Sequence, residues 1–154
     1  MLIRNLVAED YPAVLELYTK LDDYHVEMRP DYFVTRDVAY PQDAFLDNLG
    51  YPEVMQMGVF DDRGKMLGVV RATLWEKSGM VENVKTVCLD DIYVLPEYRR
   101  MGIAAKLFDE VEAWSRERGA VRLELHTWDF NKGAMAMYTA MGMTPQRYVF
   151  EKML

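Results

Sequence analysis

Strand-like and helix-like segments alternate through the second half of the chain, and this alternation limits the fold more than any other feature of the sequence. The segments are a strand at 85–94, a helix after Gly102, a strand at 121–128, a helix at 131–141 and a last strand at 147–154. Such alternation favours a mixed sheet with parallel neighbours and helices on both faces. A ligand of such a sheet binds where neighbouring strands part at their carboxyl ends.

The first half of the chain adds a sheet hairpin and two further helices. Its segments are a strand at 2–7, a helix from about Asp10, a polar and irregular stretch at 22–40, a short helix at 41–50, and hairpin strands at 54–60 and 66–75. The whole order is βααβββαβαβ, an α/β fold. No linker or repeat divides the 154 residues, so we expect a single domain over 1–154.

Charge and composition exclude several functions. The chain has 18 Lys and Arg against 25 Asp and Glu, a formal net charge of −7. Binding to nucleic acid depends on cations that neutralise phosphates, so no nucleic-acid partner is expected. The sequence shows neither a secretion signal nor an apolar run of the ~20 residues that cross a membrane. With Cys88 as its single cysteine, we expect a cytoplasmic protein without a membrane partner. His25 and His126 lack metal-ligand spacing, so no metal is expected.

Residues 89–108 form the most informative segment. A strand ends there, a tight turn contains Gly102, and an amphipathic helix begins at once. The first N–H groups of a helix have no partner within the helix, and the helix dipole adds positive charge beside them. Arg99 and Arg100 lie just before the start of this helix and add positive charge. The segment therefore has the features of an anion site, for a phosphate or pyrophosphate. The alternative is an ordinary strand-to-helix connection with solvated arginines, because the established phosphate-loop motifs are absent.

Two motifs in this half of the chain resemble one known family. Residues 99–104, Arg-Arg-Met-Gly-Ile-Ala, fit the pattern (Q/R)-x-x-G-x-(G/A) of the pyrophosphate loop in the GNAT superfamily of acyl-CoA N-acyltransferases. Ala104 stands where glycine is commoner in that family. Residues 131–142 resemble the later helix of the family, in which Asn131 would contact the cofactor and Tyr138 would face the thioester sulfur. The order of elements agrees with the family as well.

The resemblance implies acetyl-CoA as the co-substrate, bound mostly through backbone groups. The strand residues that would pair with its pantetheine arm and thioester carbonyl are Ile92, Tyr93 and Val94. The residues that would hold its pyrophosphate are Arg99, Arg100, Met101, Gly102, Ile103, Ala104 and Ala105. Asn131 would add a contact from the later helix, although an asparagine at this position is also a favourable helix cap.

Acetyl transfer to an amine makes two demands on side chains. An alkyl ammonium, with a pKa of ~10.4, must lose a proton before it attacks, and the departing thiolate must gain one. The resemblance implies Tyr138 as the general acid, with a core tyrosine as the alternative. Asp90 is the candidate base, because its surroundings resemble small-amine and diamine acetyltransferases; the alternative is a carboxylate paired with a cation. Strand alternation predicts Asp90 and Asp91 on opposite faces, where they could not act as a pair.

The acceptor region is predicted in the polar stretch 22–40, which commonly shapes the acceptor pocket in this family. Tyr24, His25 and Glu27 are its candidate binding residues, and a solvated acidic face is the alternative. Because this stretch could cover the site, we expect a small-molecule amine that attacks the thioester directly, through a tetrahedral intermediate. Acetylation of protein or peptide amines stays open, as does a non-catalytic acyl-CoA-binding sensor. A homodimer through the exposed face of the last strand is a further prediction.

Overall fold

The computed structural model describes residues 1–76 and 84–154, which form a mixed α/β structure. Five strands lie in the order β1-β2-β3-β4-β5, and they span Leu2–Asn5, Val54–Phe60, Met66–Glu76, Lys85–Val94 and Arg122–Leu125. The first four strands pair antiparallel, and β5 lies parallel to β4. The helices are α1 Tyr11–Met28, α2 Gln42–Gly50, α3 Ile103–Glu117 and α4 Lys132–Ala140. The expected fold class is confirmed.

The sheet separates two hydrophobic cores. Successive strand side chains point to opposite faces, so Val69 belongs to one core and Val70 to the other. The core under α3 and α4 contains Val70, Val87, Leu89, Ile103, Leu107, Phe108, Val111 and Tyr138. The core under α1 and α2 contains Leu6, Val14, Leu17, Tyr18, Tyr40, Phe45, Val69 and Tyr93. Each pair of helices therefore has its own apolar support on the sheet.

Strand β4 contains one residue more than its neighbour β3 at the middle of their pairing. Arg71 lies opposite Asp91, whereas the next residue, Ala72, lies opposite Leu89, so Asp90 is the extra residue of a β-bulge. The parallel pairing of β4 with β5 also ends here, at Leu89 opposite Leu125. Beyond this point β4 continues to Val94 without β5 beside it. The two strands therefore part at the carboxyl end of β5, where a ligand site is expected.

Helix α1 is longer than the sequence analysis predicted. Residues 22–28, expected to be irregular, continue the helix to Met28, and the Arg29 N–H donates to the His25 carbonyl at 2.9 Å. Polar side chains do not end a helix when one face is exposed, and no glycine or proline interrupts this stretch. The helix ends just before Pro30, since a residue preceding proline disfavours helical geometry. Tyr24, His25 and Glu27 therefore lie on a helix.

The prediction of a last strand at 147–154 is wrong. Residues 143–154 have no regular secondary structure. Their apolar, β-branched and aromatic composition is typical of a strand, but a strand also needs a hydrogen-bonding neighbour. β5 is itself shorter than expected, with bounds Arg122–Leu125 instead of 121–128, and β4 is its one neighbour in the described sheet.

Gly68 permits a close approach between β3, β4 and the start of α3. A Cβ atom at this buried position would lie 3.0 Å from the Tyr93 carbonyl oxygen, 3.1 Å from Val94 and 3.5 Å from Ile103. We expect Gly68→Ala to lower the free energy of unfolding by about 1–3 kcal/mol, because backbone must move to relieve the contact. Gly50→Ala is the matched control, since no atom lies within 4 Å of the added methyl group. Equal urea-unfolding midpoints for the two variants would contradict this prediction.

Candidate active site

The loop between β4 and α3 leaves unpaired N–H groups at the start of the helix. Gly102, at φ 77°, precedes the helix and has no side chain to cap it. The first hydrogen bond from inside the helix is donated by the Lys106 N–H to the Gly102 carbonyl at 3.1 Å. The N–H groups of residues 103–105 come before that bond, so they are available to an external anion. No atom lies within 4 Å of the position that a Gly102 Cβ would take, so this cradle is open.

The two loop arginines differ in what they do. The Arg99 side chain turns back toward β4, where its Nε donates to the Val94 carbonyl at 2.9 Å and its guanidinium lies 5.4 Å from the Tyr93 ring centre. Arg100 is exposed and has a left-handed backbone at φ 63°, which is unusual for a residue other than glycine. Strained backbone of this kind is concentrated at functional loops. Arg99 thus contacts the end of β4, whereas Arg100 contributes a strained backbone to the loop.

The other predicted cofactor residues lie along the parting of β4 and β5. Ile92 and Val94 pack toward the core under α3 and α4, and Tyr93 is buried in the opposite core. The backbone groups of this stretch that face away from β3 no longer have β5 as a neighbour. Asn131 caps α4, because its side-chain oxygen accepts from the Ala134 N–H at 3.3 Å. The capping role considered for Asn131 is therefore present.

The bulge brings the two carboxylates of β4 to the same side of the sheet, so their expected placement on opposite faces is wrong. Asp90 accepts from the Thr73 hydroxyl at 2.5 Å. Asp91 accepts from Arg71 Nε at 2.9 Å and from Nη2 at 2.8 Å. Arg71 and Thr73 are two residues apart on β3 and share one face. An extra residue interrupts the alternation of side chains, which explains why a simple strand pattern gave the wrong answer.

Asp91 and Arg71 belong to a half-buried polar cluster beneath α1. Tyr18 donates its hydroxyl proton to Asp91 at 3.2 Å, and the Arg71 guanidinium lies 5.7 Å from the Tyr40 ring centre. Burial raises the pKa of the Asp90 carboxyl above its ordinary value of 3.8, while the Thr73 hydrogen bond and the Arg71 charge act against that rise. A raised pKa brings proton transfer by Asp90 closer to neutral pH.

Tyr138 lies on the other face of the sheet from this cluster. It is buried in the core under α3 and α4, with its ring centre 6.4 Å from that of Phe108. Burial raises the pKa of the phenol to about 12, so the hydroxyl keeps its proton throughout the neutral range. Ile92, Ala104 and Ala134 pack against the same core. The predicted acid therefore shares one face of the sheet with residues of the predicted cofactor site.

The three acceptor candidates lie close together on α1 but have different surroundings. Tyr24 and His25 contact the ring of Phe130, with centroid distances of 5.9 Å and 6.1 Å. His25 Nδ1 donates to the Leu21 carbonyl at 2.9 Å. A cavity of about 390 Å³ is lined by Asp22, His25, Val26, Tyr32, Phe33, Val34 and Arg36. Glu27 is exposed and does not line this cavity.

The cavity is more aromatic and less acidic than the sequence suggested. Asp22 is paired with Arg36 through two contacts of 2.8 Å, which offsets its charge. Trp128 and Phe130 stack at an interplanar angle of 11° beside it, and Phe33 lies 5.0 Å from Trp128. The attraction of a cationic amine would therefore come from ring faces as well as from carboxylates.

Sequence reasoning missed Arg71, Thr73 and the aromatic rings of Trp128 and Phe130. Arg71 could have been noticed as the one cation within the apolar strand run 66–75, and Thr73 shares its face by simple alternation. Trp128 and Phe130 belong to no recognised motif. Their rings contact residues that are distant in sequence, so no local spacing of residues indicates these contacts.

The described residues lack the features of two other kinds of site. Among residues 1–76 and 84–154, no group of three or more His, Cys, Asp or Glu side chains is arranged to hold a metal ion. None of the helices in that part of the chain combines the length and apolar character of a membrane span.

Comparison with known proteins identifies the family. Residues 14–143 match the acetyltransferase (GNAT) family. The chain is 30% identical over 144 residues to the thialysine N-epsilon-acetyltransferase of Bos taurus, and the match covers 92% of this chain and 83% of that protein.

Solved structures share the fold of this chain. A point mutant of the BH1408 protein from Bacillus halodurans has a TM-score of 0.95 at 26% identity, covering 100% of this chain and 99% of that one. An aminoglycoside N-acetyltransferase in complex with CoA has a TM-score of 0.73 at 19% identity, over 99% of this chain and 98% of that one, which concerns the fold alone.

The chain belongs to the GNAT acetyltransferase family, and it is an acetyl-CoA-dependent N-acetyltransferase. The resemblance carried by residues 99–104 and 131–142 is thereby confirmed, since both lie within the matched range. The roles of single residues are not decided by these matches and stay predictions.

Gly102 provides a test of the anion cradle, because α3 is bounded by two left-handed glycines. Gly102, at φ 77°, precedes the helix, and Gly119, at φ 72°, follows it; neither has an atom within 4 Å of an added Cβ. Gly102→Ala and Gly119→Ala should each cost about 1 kcal/mol of stability through backbone strain. We expect Gly102→Ala alone to weaken acetyl-CoA binding, by tenfold or more in calorimetric titration. Equal affinities in the two variants would remove this loop from the cofactor site.

Proposed function

We propose that this enzyme acetylates the primary amine of a small molecule by direct attack on the acetyl thioester. The observation that carries the proposal is the bulge at Asp90, where β4 parts from β5 and a half-buried carboxylate adjoins the opening. A relative supports it, since the bovine protein is named for thialysine, a small amine. The 390 Å³ cavity beside α1 has a size suited to such a molecule.

The chain's residues fit acetyl-CoA at this parting, and acetyl-CoA supplies the activated acetyl group when bound. The N–H groups of residues 103–105 and the open space at Gly102 suit its pyrophosphate. Backbone groups of Ile92, Tyr93 and Val94 suit its pantetheine arm, although one lone pair of the Val94 carbonyl is occupied by Arg99. Strand N–H groups at the same place, such as that of Ile92, would stabilise negative charge on the reacting carbonyl oxygen.

Asp90 is the proposed base. An ammonium acceptor must lose its proton before it attacks, and a carboxylate half-buried at the opening can take that proton directly or through a water molecule. The Thr73 hydroxyl orients this carboxylate, and the positive charge of Arg71 offsets the negative charges of Asp90 and Asp91. Asp91 accepts hydrogen bonds from Arg71 and Tyr18, so it is less suitable than Asp90 for proton transfer.

Tyr138 is the proposed acid. The departing thiolate needs a proton, and a phenol that stays protonated at neutral pH is able to donate one. The packing against Phe108 fixes the ring, so the hydroxyl is held in a defined place.

The remaining expectations stay predictions. We propose that residues 1–154 act as one domain, that the protein is cytoplasmic, and that it has no nucleic-acid or membrane partner. Acetylation of peptide amines would require an open groove, whereas the cavity on α1 is bordered on one side by Tyr32, Phe33, Val34 and Arg36, which favours a small acceptor. A sensor without catalysis would have no need for the Asp90 environment described above.

The proposal is tested by measuring CoA thiol release from acetyl-CoA with thialysine, lysine, diamines, aminoglycosides and lysine peptides in parallel. We expect turnover above the amine-free control with at least one small amine and a lower kcat/KM with the peptides. A preference for peptides would overturn the small-acceptor assignment. Binding of acetyl-CoA without turnover of any acceptor would favour the sensor.

Asp90→Asn should lower kcat by about 100-fold or more, because the variant cannot take a proton. The ionised form of Asp90 is disfavoured in the folded protein, so its contribution to stability is lost as the pH rises through its raised pKa. The variant should therefore unfold at neutral pH no more readily than the parent enzyme. The kcat of Asp90→Asn is divided by that of the parent enzyme, measured with the same acceptor at each pH. Ionisation of the acceptor affects both enzymes equally, so it does not change this ratio.

Thr73→Val is the companion variant for this experiment. It removes one of the hydrogen bonds that lower the pKa of Asp90, so the acid limb of the rate profile should move to higher pH. An acid limb that is identical in the parent enzyme and in both variants would contradict the assignment of Asp90 as the base.

Tyr138→Phe should lower kcat by roughly 100-fold, within the range for loss of a general acid, while the Kd of acetyl-CoA changes less than twofold. Phenylalanine preserves the contact with Phe108, so the stability of the fold should be retained. Stopped-flow measurement of the chemical step, alongside calorimetry for binding, separates the two effects. An unchanged chemical step would exclude Tyr138 from proton transfer.

A further inference from the structure

Six aromatic rings from three parts of the chain meet at the end of helix α1. This aromatic cluster consists of Tyr24, His25, Tyr32, Phe33, Trp128 and Phe130, and the centroids of neighbouring rings lie 4.9–6.1 Å apart. All six lie outside the two hydrophobic cores of the described chain, and they are half-buried except Tyr32, which is 59% exposed. Rings that stabilise no core and remain accessible are suited to contact with a bound molecule.

The aromatic cluster forms one wall of the 390 Å³ cavity beside α1. Three of its rings line the cavity directly, and they belong to His25, Tyr32 and Phe33. Behind this lining, the ring centre of Trp128 lies 5.0 Å from that of Phe33, and the ring centre of Phe130 lies 6.1 Å from that of His25. A molecule that enters the cavity therefore meets aromatic faces.

The charged groups around the cavity are already paired. Asp22 and Arg36 both line it, and they are joined by two contacts of 2.8 Å. The Arg29 guanidinium lies 5.5 Å from the ring centre of Tyr32 and 5.8 Å from that of Trp128, so the protein itself supplies the cation that these rings attract. Among the described lining residues, a second ammonium group would find no uncompensated carboxylate, and it would lie near the positive charge of Arg36.

Helix α1 connects this cavity to the carboxylates of β4. Tyr18 on this helix donates to Asp91 at 3.2 Å, and His25 lines the cavity two turns later. Two turns bring a helix back to the same face after about 10 Å along its axis. From the sheet, Trp128 comes three residues after the end of β5, where β5 parts from β4. An acceptor with its amine at Asp90 would therefore extend toward the aromatic cluster.

We propose, building on the function proposed above, that the acceptor is an arylalkylamine whose amino group lies at Asp90 and whose ring lies in the aromatic cluster. Contacts between rings add to the favourable burial of apolar area, and they require no second charge on the acceptor. The chemistry is unchanged: the nitrogen loses a proton to Asp90 and bonds to the acetyl carbon, the C–S bond breaks, and the thiolate gains a proton from Tyr138. Diamines are then poor acceptors.

Binding of amines to the complex of the enzyme with CoA tests this assignment without catalysis, because CoA carries no acetyl group to transfer. Ligand-observed NMR titrations compare phenethylamine with hexylamine, which has no ring, and with cadaverine, which has a second ammonium group. We expect phenethylamine to bind about fivefold or more tightly than hexylamine, and cadaverine to bind more weakly than either. Hexylamine or cadaverine binding as tightly as phenethylamine would overturn the proposal.

Phe33→Leu removes the ring that contacts both His25 and Trp128 and keeps an apolar side chain. The preference for phenethylamine over hexylamine should fall below about twofold in this variant, because the ring contact is lost. Tyr51→Leu is the matched control, since Tyr51 is a 54% exposed ring outside the aromatic cluster, and it should retain the preference. Neither residue belongs to the hydrophobic cores, so both variants should fold. An equal preference in the two variants would show that the acceptor ring lies elsewhere.

Arg36→Gln releases Asp22 from its partner and tests the role of charge in the cavity. Cadaverine should bind about fivefold or more tightly to this variant, whereas the affinity for phenethylamine should change less than about twofold. Arg63→Gln, at an exposed hairpin turn, alters the net charge equally and should leave both affinities unchanged. Unchanged binding of cadaverine to Arg36→Gln would overturn the exclusion of a second cation.

Release of CoA thiol from acetyl-CoA separates this assignment from the function on which it depends. A higher kcat/KM for phenethylamine than for hexylamine and cadaverine would support both. Turnover of the three amines without that preference would overturn the aromatic acceptor and leave acetylation of small amines standing. Preferential binding of phenethylamine without turnover of any amine would support the aromatic site and contradict the catalytic function.

Discussion

The extra residue at Asp90 is the constraint on which the rest of the site depends. A strand that stayed in register with β3 would present Asp90 and Asp91 to different faces. The bulge turns both toward Arg71 and Thr73, and the β4–β5 pairing stops at the residue before it. One irregularity therefore sets the position of the proposed base and the place where the sheet opens.

The cluster around Arg71 shows how the protein keeps carboxylates half-buried beside that opening. Arg71 and Asp91 form a charge-assisted pair, and Tyr18 supplies a further donor to Asp91. A half-buried pair of this kind gains little net stability, but removing one partner leaves the other uncompensated. Its main effect is to fix the positions of the charges, while Asp90 accepts hydrogen bonds from the Thr73 hydroxyl and the Cys88 thiol and has a pKa raised by burial.

The sequence predicted those parts of the fold that are encoded locally. The alternation of strands and helices, the glycine turn before α3 and the cap considered for Asn131 all depend on residues near one another in the chain. The bulge was not predictable, because one added residue does not change the apolar composition of a strand. The length of α1 was underestimated because polar residues at 22–28 suit an exposed helix as well as a loop. The strand expected at 147–154 failed for a different reason, since strand propensity does not specify a neighbour.

The separation of two cores by one sheet has a consequence for how such enzymes diversify. Helices α1 and α2, which carry the acceptor candidates, rest on a core of their own, and the loop before α3 rests on the other; Tyr98 packs against both. Substitutions that reshape the cavity near His25 need not disturb the packing around Gly102 and Tyr138. New amine specificities can therefore arise by mutation on one side of the sheet while the acyl-donor machinery on the other side is inherited intact.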